Sequence, residues 1–160
     1  MPKKYWLMKT EPDTFSFDDL VNSPKKTDHW DGIRNYQARN MMRDEFQLGD
    51  EVFIYHSRTT PPAIVGIAEV VKTAYPDHTA LDESSPYFDP KSVEKGESRW
   101  VMVDVKAMKK LTREISIQDV RDHPKLQDMP LIKRGQRLSI QPVSKKQWDT
   151  IVALGAPKKV

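Results

Sequence analysis

The stretch DEVFIYHSRTTPPAIVGIAEVVK, residues 50–72, contains two apolar segments that are separated by a short polar turn. In DEVFIYHS (50–57) successive side chains alternate between two faces, which is typical of a β-strand. The second segment, AIVGIAEVVK (63–72), predicts a partner strand, so the pair forms a hairpin with a connection of six or seven residues. Gly66 inside this strand indicates a bulge or a close approach by another group.

The rest of the chain adds strands and short helices around this hairpin. Further strands are predicted at YWLMKTE (5–11), RWVMVDVKAMKKL (99–111) and RLSIQPV (137–143). Helices are predicted after the capping residues Ser16, Asn35, Ser116 and Ser144. Because the strands cluster in the middle and do not alternate regularly with helices, the pattern indicates an α+β fold, a small curled sheet or barrel with helices at its ends.

Length and composition limit the class of protein. A chain of 160 residues with 38% hydrophobic and 31% charged residues is expected to form one soluble domain over 1–160. It has no apolar run that could cross a bilayer, and MPKKYWLMKTEP lacks the apolar core of a signal peptide, so we expect a cytoplasmic protein without membrane contact. The absence of cysteine excludes disulfides, thiolate nucleophiles and zinc fingers.

Charge and motifs favour binding over catalysis. The formal net charge of +3 permits nucleic-acid binding without requiring it, and any single basic cluster is ordinarily a solvated face. The sequence contains no P-loop, dinucleotide-binding glycine pattern or GxSxG motif. Its four histidines are scattered without metal-ligand spacing, so we expect no metal and no cofactor.

The segment HWDGIRNYQARN (29–40) places Trp30 beside an Asp-Gly turn, outside any apolar period. A flat ring in such a position, followed by Asn35 and Gln37, suits the wall of a base-binding site with amides to read the base edge. An ordinary core anchor explains the tryptophan equally well. The residues alone leave both interpretations open.

Two predicted strand ends carry polar side chains that could converge on a pocket. Tyr55, His56, Ser57 and Arg58 follow one another at the mouth of the hairpin, and Lys9-Thr10-Glu11 ends the first strand. Solvation of simple turns is the alternative. The polar excursion at 76–98 is long for a compact domain, which indicates either a function or packing by its aromatic residues.

A family resemblance joins these features. The blocks YWLMKTEP, WDGIRNYQARNMMR, GDEVFIYHS, PPAIVGIAEVV, YPDHTALDESSPYFDPKS, RWVMVDV and LIKRGQRLSIQPV, in this order, resemble the EVE domain over residues 3 to about 154. EVE domains belong to the PUA-like superfamily and are related to YTH domains, which bind N6-methyladenine in an aromatic cage. The resemblance implies a PUA-like pseudo-barrel, a curled mixed or antiparallel sheet of about five to six strands flanked by helices.

The resemblance also implies a function. We expect a monomeric, non-catalytic reader of DNA or RNA that holds a modified base, with methylated cytosine the favoured class. The expected base pocket consists of Lys9, Thr10, Trp30, Asn35, Tyr36, Tyr55, His56 and Ser57. The expected phosphate contacts are Arg34, Arg39, Arg58, Lys133, Arg134 and Arg137. The second tryptophan of the YTH cage has no clear counterpart, which leaves the preferred modification open.

Two alternatives remain. ASCH domains, which are also PUA-like, include amidohydrolases that act on acylated cytidine, and Lys9, Thr10 and Glu69 could supply such chemistry, although their spacing departs from the ASCH motif. A general RNA-binding module without preference for a modification is the other alternative.

Overall fold

The computed structural model describes residues 2–160, which form one curled, unclosed sheet of seven strands with five α-helices. The strands are β1 (Tyr5–Thr10), β2 (Thr27–Trp30), β3 (Glu51–His56), β4 (Ala63–Pro76), β5 (Val101–Ser116), β6 (Ile140–Val143) and β7 (Pro157–Lys159). The helices are α1 (Phe17–Val21), α2 (Tyr36–Asp44), α3 (Pro90–Lys95), α4 (Ile117–Asp122) and α5 (Lys145–Gly155). The expected α+β fold with a mixed, curled sheet is confirmed.

The sheet has the strand order β2-β5-β4-β3-β1-β6, and β7 also pairs with β5. The predicted hairpin is β3 with β4, and β1 runs parallel to β3 and antiparallel to β6. The seven strands are more than the five to six that were expected, and β2 and β7 are the two outside the segments predicted as strands. They contain only four and three residues, so neither is long enough to show a periodic pattern in the sequence.

Bulges curl the sheet along its two longest strands. The pairing of β4 with β5 shifts register between Ile64 and Gly66, and the pairing of β3 with β4 shifts between Ile54 and Tyr55. The ring of Phe17 lies directly over Gly66, where an added Cβ would be only 2.5–2.6 Å from three of its atoms. Gly66 therefore marks both a bulge and a close approach, as its position in the sequence indicated.

We expect Gly66→Ala to lower the free energy of unfolding by about 1–3 kcal/mol, the usual cost of overpacking a core. Phe17 is buried and cannot move aside without disturbing its neighbours. Urea denaturation measures the change. In a Phe17→Leu background the same glycine substitution should cost less, and an equal cost in both backgrounds would contradict the proposed clash.

Both faces of the sheet are buried, each against its own set of helices. Trp6 and Met8 of β1 pack into one hydrophobic cluster with Phe17 and α2, whereas Leu7 packs into a second cluster that includes Trp148 of α5. The alternation of side chains predicted from the sequence is therefore correct. It divides the side chains between two hydrophobic cores, and not between a core and solvent.

The polar excursion at 76–98 contains more structure than the expected loop. It includes a 3-10 turn at His78–Leu81 and helix α3. Asp89, which is buried, accepts hydrogen bonds from Arg99 and from Trp100 Nε1 at 2.6 and 2.8 Å. The hydrogen bond from Arg99 is the main cause that holds the pKa of Asp89 well below its usual range. These contacts fix the excursion to the segment that leads into β5.

None of the helices within residues 2–160 has the length and apolar character needed to span a membrane. The single domain, the monomeric state and the cytoplasmic location stay predictions.

Candidate functional site

One cavity of about 570 Å³ opens at the ends of β1 and β2. We call it the Trp30 cavity. It is lined by Lys9, Thr10, Glu11, Thr14, Phe15, Asp28, His29, Trp30, Asp31, Gly32, Ile33, Tyr87 and Ser139. Three residues of the predicted base pocket, Lys9, Thr10 and Trp30, therefore come together, and they lie on two different strands.

Trp30 is the last residue of β2, where it pairs with Val103 of β5, and not part of a turn. Its side chain is 7% exposed and belongs to a hydrophobic core cluster, yet it also lines the cavity. The ring of Phe15 meets it edge to face, with the centroids 5.9 Å apart. Trp30 is thus both a core anchor and a wall, and Phe15 extends the aromatic surface.

The end of β1 contributes a cation and a hydroxyl. Burial lowers the pKa of the Lys9 ammonium, and no charged neighbour contributes to that shift. Thr10 Oγ1 donates a hydrogen bond of 2.7 Å to the carbonyl oxygen of Phe15. Thr10 therefore positions Phe15, and Lys9 offers a partly desolvated hydrogen-bond donor to a ligand in the cavity.

The end of β2 contributes carboxylates. Asp28 and Asp31 lie on either side of His29, with Asp28 Oδ1 3.2 Å from Nδ1 and Asp31 Oδ2 3.4 Å from Nε2. Burial raises the pKa of Asp31, and His29 partly opposes that shift. The cavity therefore combines an aromatic wall with a cation on one strand and acceptors on another.

Tyr87, from the excursion, covers the glycine that follows Asp31. Gly32 adopts φ +78°, and a Cβ there would be 2.6–2.9 Å from Tyr87 ring atoms. The backbone carbonyl of Tyr87 accepts a hydrogen bond of 2.7 Å from Arg34 Nη2, and Arg34 also pairs with Asp77 at 3.0 Å. This network holds the tyrosine against the cavity.

Asp77 is the centre of that network. Burial alone would raise its pKa, but hydrogen bonds from Thr79, the Gly32 backbone N–H and Arg34 outweigh it and hold the pKa below the usual range. Arg34, which was predicted to contact phosphate, is thus engaged inside the protein.

Two residues of the predicted base pocket lie on α2 instead of in the cavity. Asn35 caps the helix, since its side-chain oxygen accepts a hydrogen bond of 3.0 Å from the Ala38 N–H. Tyr36 is 50% exposed and stacks on Trp100 with ring centroids 5.0 Å apart. Both follow Trp30 closely in sequence, but the start of the helix turns them away from the cavity lining.

The three predicted residues at the end of β3 are also outside the cavity lining. Tyr55 is 3% exposed and faces the cluster around Trp148. His56 Nε2 accepts a hydrogen bond of 3.0 Å from the Phe17 N–H, and burial lowers its pKa. The Ser57 backbone N–H donates a hydrogen bond of 2.9 Å to the carbonyl oxygen of Thr10, and it thereby helps to hold this cavity-lining residue in place.

The predicted phosphate-contacting residues differ in their availability. Arg58 has an 84% exposed side chain and pairs with Glu11, a cavity-lining residue, at 2.9 Å. Arg137 is exposed and precedes Ser139 of the cavity by two positions. Lys133 and Arg134 are exposed on the same loop. Arg58 and Arg137 are thus tied to residues of the cavity lining, and the contact of all four with phosphate stays a prediction.

Arg39, the sixth residue of that predicted set, lies elsewhere. Its guanidinium is 4.6 Å from the centroid of the Tyr36 ring and donates a hydrogen bond of 3.0 Å to the Arg99 carbonyl. Arg39 therefore lies beside the stacked rings of Tyr36 and Trp100.

Sequence reasoning did not assign several cavity residues, chiefly Phe15, Asp28, Asp31, Tyr87 and Ser139. The unusual length of the excursion and its aromatic residues were a usable signal for Tyr87. The Asp31-Gly32 turn next to Trp30 was another. Phe15 and Ser139 carry no local pattern that distinguishes them, because the fold alone brings them to this place.

The residues weighed for an amidohydrolase do not form one group. Glu69 pairs with Glu51 on β3, whereas Lys9 pairs with Tyr55, four positions or about 13 Å further along that strand. Glu69 lines a separate cavity of about 240 Å³ together with Trp148. Within residues 2–160 no three His, Asp or Glu side chains are grouped so that they could hold a metal ion.

Comparison with known proteins agrees with the sequence pattern. The model of the EVE domain family matches residues 4–154. Thymocyte nuclear protein 1 of Mus musculus is 42% identical over 94% of this chain and 73% of its own length.

Solved structures give the same result. A hypothetical protein from Leishmania major has a TM-score of 0.89 and 44% identity, covering 97% of this chain and 96% of its own. The human THYN1 protein in complex with 5-methylcytosine-containing DNA has a TM-score of 0.89 and 39% identity, covering 96% and 98%. An ASCH protein from Zymomonas mobilis, 11% identical with a TM-score of 0.54, shares the fold alone. The chain therefore belongs to the EVE domain family.

Proposed function

We propose that this protein is a non-catalytic reader of nucleic acid that takes one modified, cytosine-type base into the Trp30 cavity. The observation that carries the proposal is the aromatic corner of Trp30 and Phe15 in a cavity that also offers a cation and carboxylates. The solved complex of human THYN1 with 5-methylcytosine-containing DNA supports the choice of base.

The cavity suits a base that has left its stack. Its volume of about 570 Å³ lies within the range of small-molecule sites, and a flipped base is held by stacking and by hydrogen bonds to its edge. Stacking on an aromatic side chain contributes about 1–3 kcal/mol, and burying one methyl group adds about 0.8 kcal/mol. Stacking therefore supplies affinity, and the polar groups supply selection.

Basic side chains are the proposed contacts to the phosphate backbone of the nucleic acid. Arg58 pairs with the cavity-lining Glu11, and Lys133, Arg134 and Arg137 are exposed in the segment that precedes the cavity-lining Ser139. Such contacts release counterions, so we propose that affinity falls as salt rises. The shape of the rim does not distinguish DNA from RNA, and the proposal covers both.

We expect Phe15→Ala to weaken binding of a 5-methylcytosine duplex about tenfold, because it removes one aromatic wall of the cavity. Phe15 is half-buried, so its truncation disturbs the core less than that of Trp30. Isothermal titration calorimetry against matched duplexes with methylated and unmethylated cytosine measures both affinity and preference.

Two comparison variants sharpen this test. Leu48→Ala removes an apolar side chain that is 67% exposed and should bind as the native protein does. Tyr36 belongs to the pocket predicted from the sequence but lies outside the cavity, so Tyr36→Ala tests which of the two sets of residues binds the base. Equal affinity of the native protein for methylated and unmethylated strands would refute a modified-base reader and favour the general binding module.

A further inference from the structure

The Trp30 cavity presents opposite charges near the ends of two separate strands. Lys9 is the penultimate residue of β1, and Asp31 directly follows β2. Neither group is among the causes of the other's pKa shift, and they form no ion pair with each other. Both charges are therefore available to a molecule that enters between them.

Asp31 is a carboxylate of the cavity lining with unused acceptor capacity. Asp28 Oδ1 already accepts the His29 N–H at 2.8 Å, and Asp77 accepts the Gly32 N–H and Arg34. The Asp31 carboxylate accepts a hydrogen bond from its own backbone N–H. The distance between its Oδ2 and His29 Nε2 is 3.4 Å, which is longer than an ordinary hydrogen bond.

The surroundings of Asp31 favour a ligand that donates a hydrogen bond. Its side chain is 28% exposed, and burial is the main cause of its raised pKa. A carboxylate that has lost much of its water gains from any N–H group that takes the place of that water.

Resting on the proposed function, we infer that Asp31 is the specificity-determining residue of the cavity and accepts a hydrogen bond from the exocyclic amino group of a cytosine-type base. Aspartate is a natural acceptor for the cytosine N4 amino group, whereas thymine presents the O4 acceptor at that position. Lys9, from β1, donates to the C2 carbonyl, which lies beyond N3 on the same edge of the base.

This assignment gives the cavity a property that stacking cannot provide. 5-Methylcytosine and thymine have the same ring outline and the same methyl group, and they differ in the group at C4 and in the hydrogen that thymine carries on N3. The walls formed by Trp30 and Phe15 therefore treat them alike. Asp31 distinguishes them, because thymine would place an oxygen against the carboxylate with no hydrogen between them.

The native protein provides the first test. Three duplexes carry 5-methylcytosine, thymine or 5-methylpyrimidin-2-one opposite an abasic site, so that base pairing does not influence the comparison. We expect 5-methylcytosine to bind about 10- to 100-fold more tightly than thymine, with the pyrimidinone, which has no group at C4, between them. Equal affinity for all three would overturn the inference.

Asp31→Asn is the second test. The asparagine amide can donate to O4, so the preference for 5-methylcytosine over thymine should shrink to about onefold or reverse. Asp13→Asn removes the same charge from an exposed residue between Glu11 and Phe15 that does not line the cavity, and it should keep the native ratio. An unchanged ratio in Asp31→Asn would overturn the assignment.

The proposed function and the role of Asp31 would be refuted by different results. A protein that prefers methylated to unmethylated cytosine but does not discriminate at C4 would retain the proposed function and refute the role of Asp31. A protein with no preference for methylated cytosine and no effect of Phe15→Ala would refute both. Because the three-base comparison uses native protein, it decides the matter even if a substitution at Asp31 prevents folding.

Discussion

Replacing Asp50 with alanine is expected to lower the free energy of unfolding by about 3–5 kcal/mol, because one buried and two part-buried donors would lose their shared acceptor. Asp50 is 0% exposed. Its Oδ2 accepts hydrogen bonds from Trp6 Nε1 at 2.9 Å and from the Gln47 N–H at 3.0 Å, and its Oδ1 accepts the Lys4 N–H at 3.0 Å. The buried indole N–H cannot be satisfied by water after the substitution.

Urea denaturation followed by circular dichroism measures this loss. Asp50→Asn should fall between the native protein and the alanine variant, since one oxygen remains but the amide would face a donor. Asp44→Ala removes an exposed carboxylate that pairs only with the exposed Arg43 and should change stability by no more than about 0.5 kcal/mol. A loss below about 1 kcal/mol for Asp50→Ala would contradict the shared-acceptor role.

The same side chain connects stability to the site. Asp50 holds the start of β1 against the start of β3 at the point where their parallel pairing begins with Tyr5 and Glu51. The other end of this pairing carries Lys9 and Thr10 into the Trp30 cavity. A change of register here would move both to the wrong face, because side chains alternate along a strand.

Local patterns in the sequence predict most of the fold. Ser116 and Ser144 form the expected capping boxes, and Ser16, which was predicted as a cap, forms one as well, because a cap depends only on residues three positions apart. The β3–β4 hairpin depends on one short connection. β2 and β7 escape such patterns because they are stabilised by pairing with β5, which is distant in sequence.

The cavity is predicted less completely for a related reason. Alternation along β3 correctly predicts that Tyr55 and Ile54 lie on opposite faces of the sheet. Because both faces are apolar, alternation does not indicate which of them holds the cavity. Proximity to Trp30 in sequence likewise suggested Asn35 and Tyr36, whereas α2 turns them away. Tyr87 reaches the cavity from 57 positions beyond Trp30, and only the folded excursion brings it there.

Gly32→Ala is expected to reduce both stability and binding, because it acts on the backbone and on the tyrosine that lines the cavity. A residue with a Cβ at φ +78° costs about 1–2 kcal/mol in backbone strain. The new Cβ would also be 2.6–2.9 Å from ring atoms of Tyr87, which must then move. We expect a loss of about 2–4 kcal/mol in stability and a loss of at least about tenfold in affinity for a 5-methylcytosine duplex.

A double-mutant cycle separates the two causes. Tyr87→Ala removes the ring and leaves the carbonyl that Arg34 holds, so Gly32→Ala in that background should cost only the backbone strain of about 1–2 kcal/mol. Urea denaturation of the four proteins gives the coupling energy between Gly32 and Tyr87. If the two substitutions add within about 0.5 kcal/mol, the ring does not press on Gly32 and the excursion is not held at this glycine. If they couple by 1 kcal/mol or more, one glycine sets how closely the excursion closes over the base-binding wall, because no larger residue leaves room for the ring.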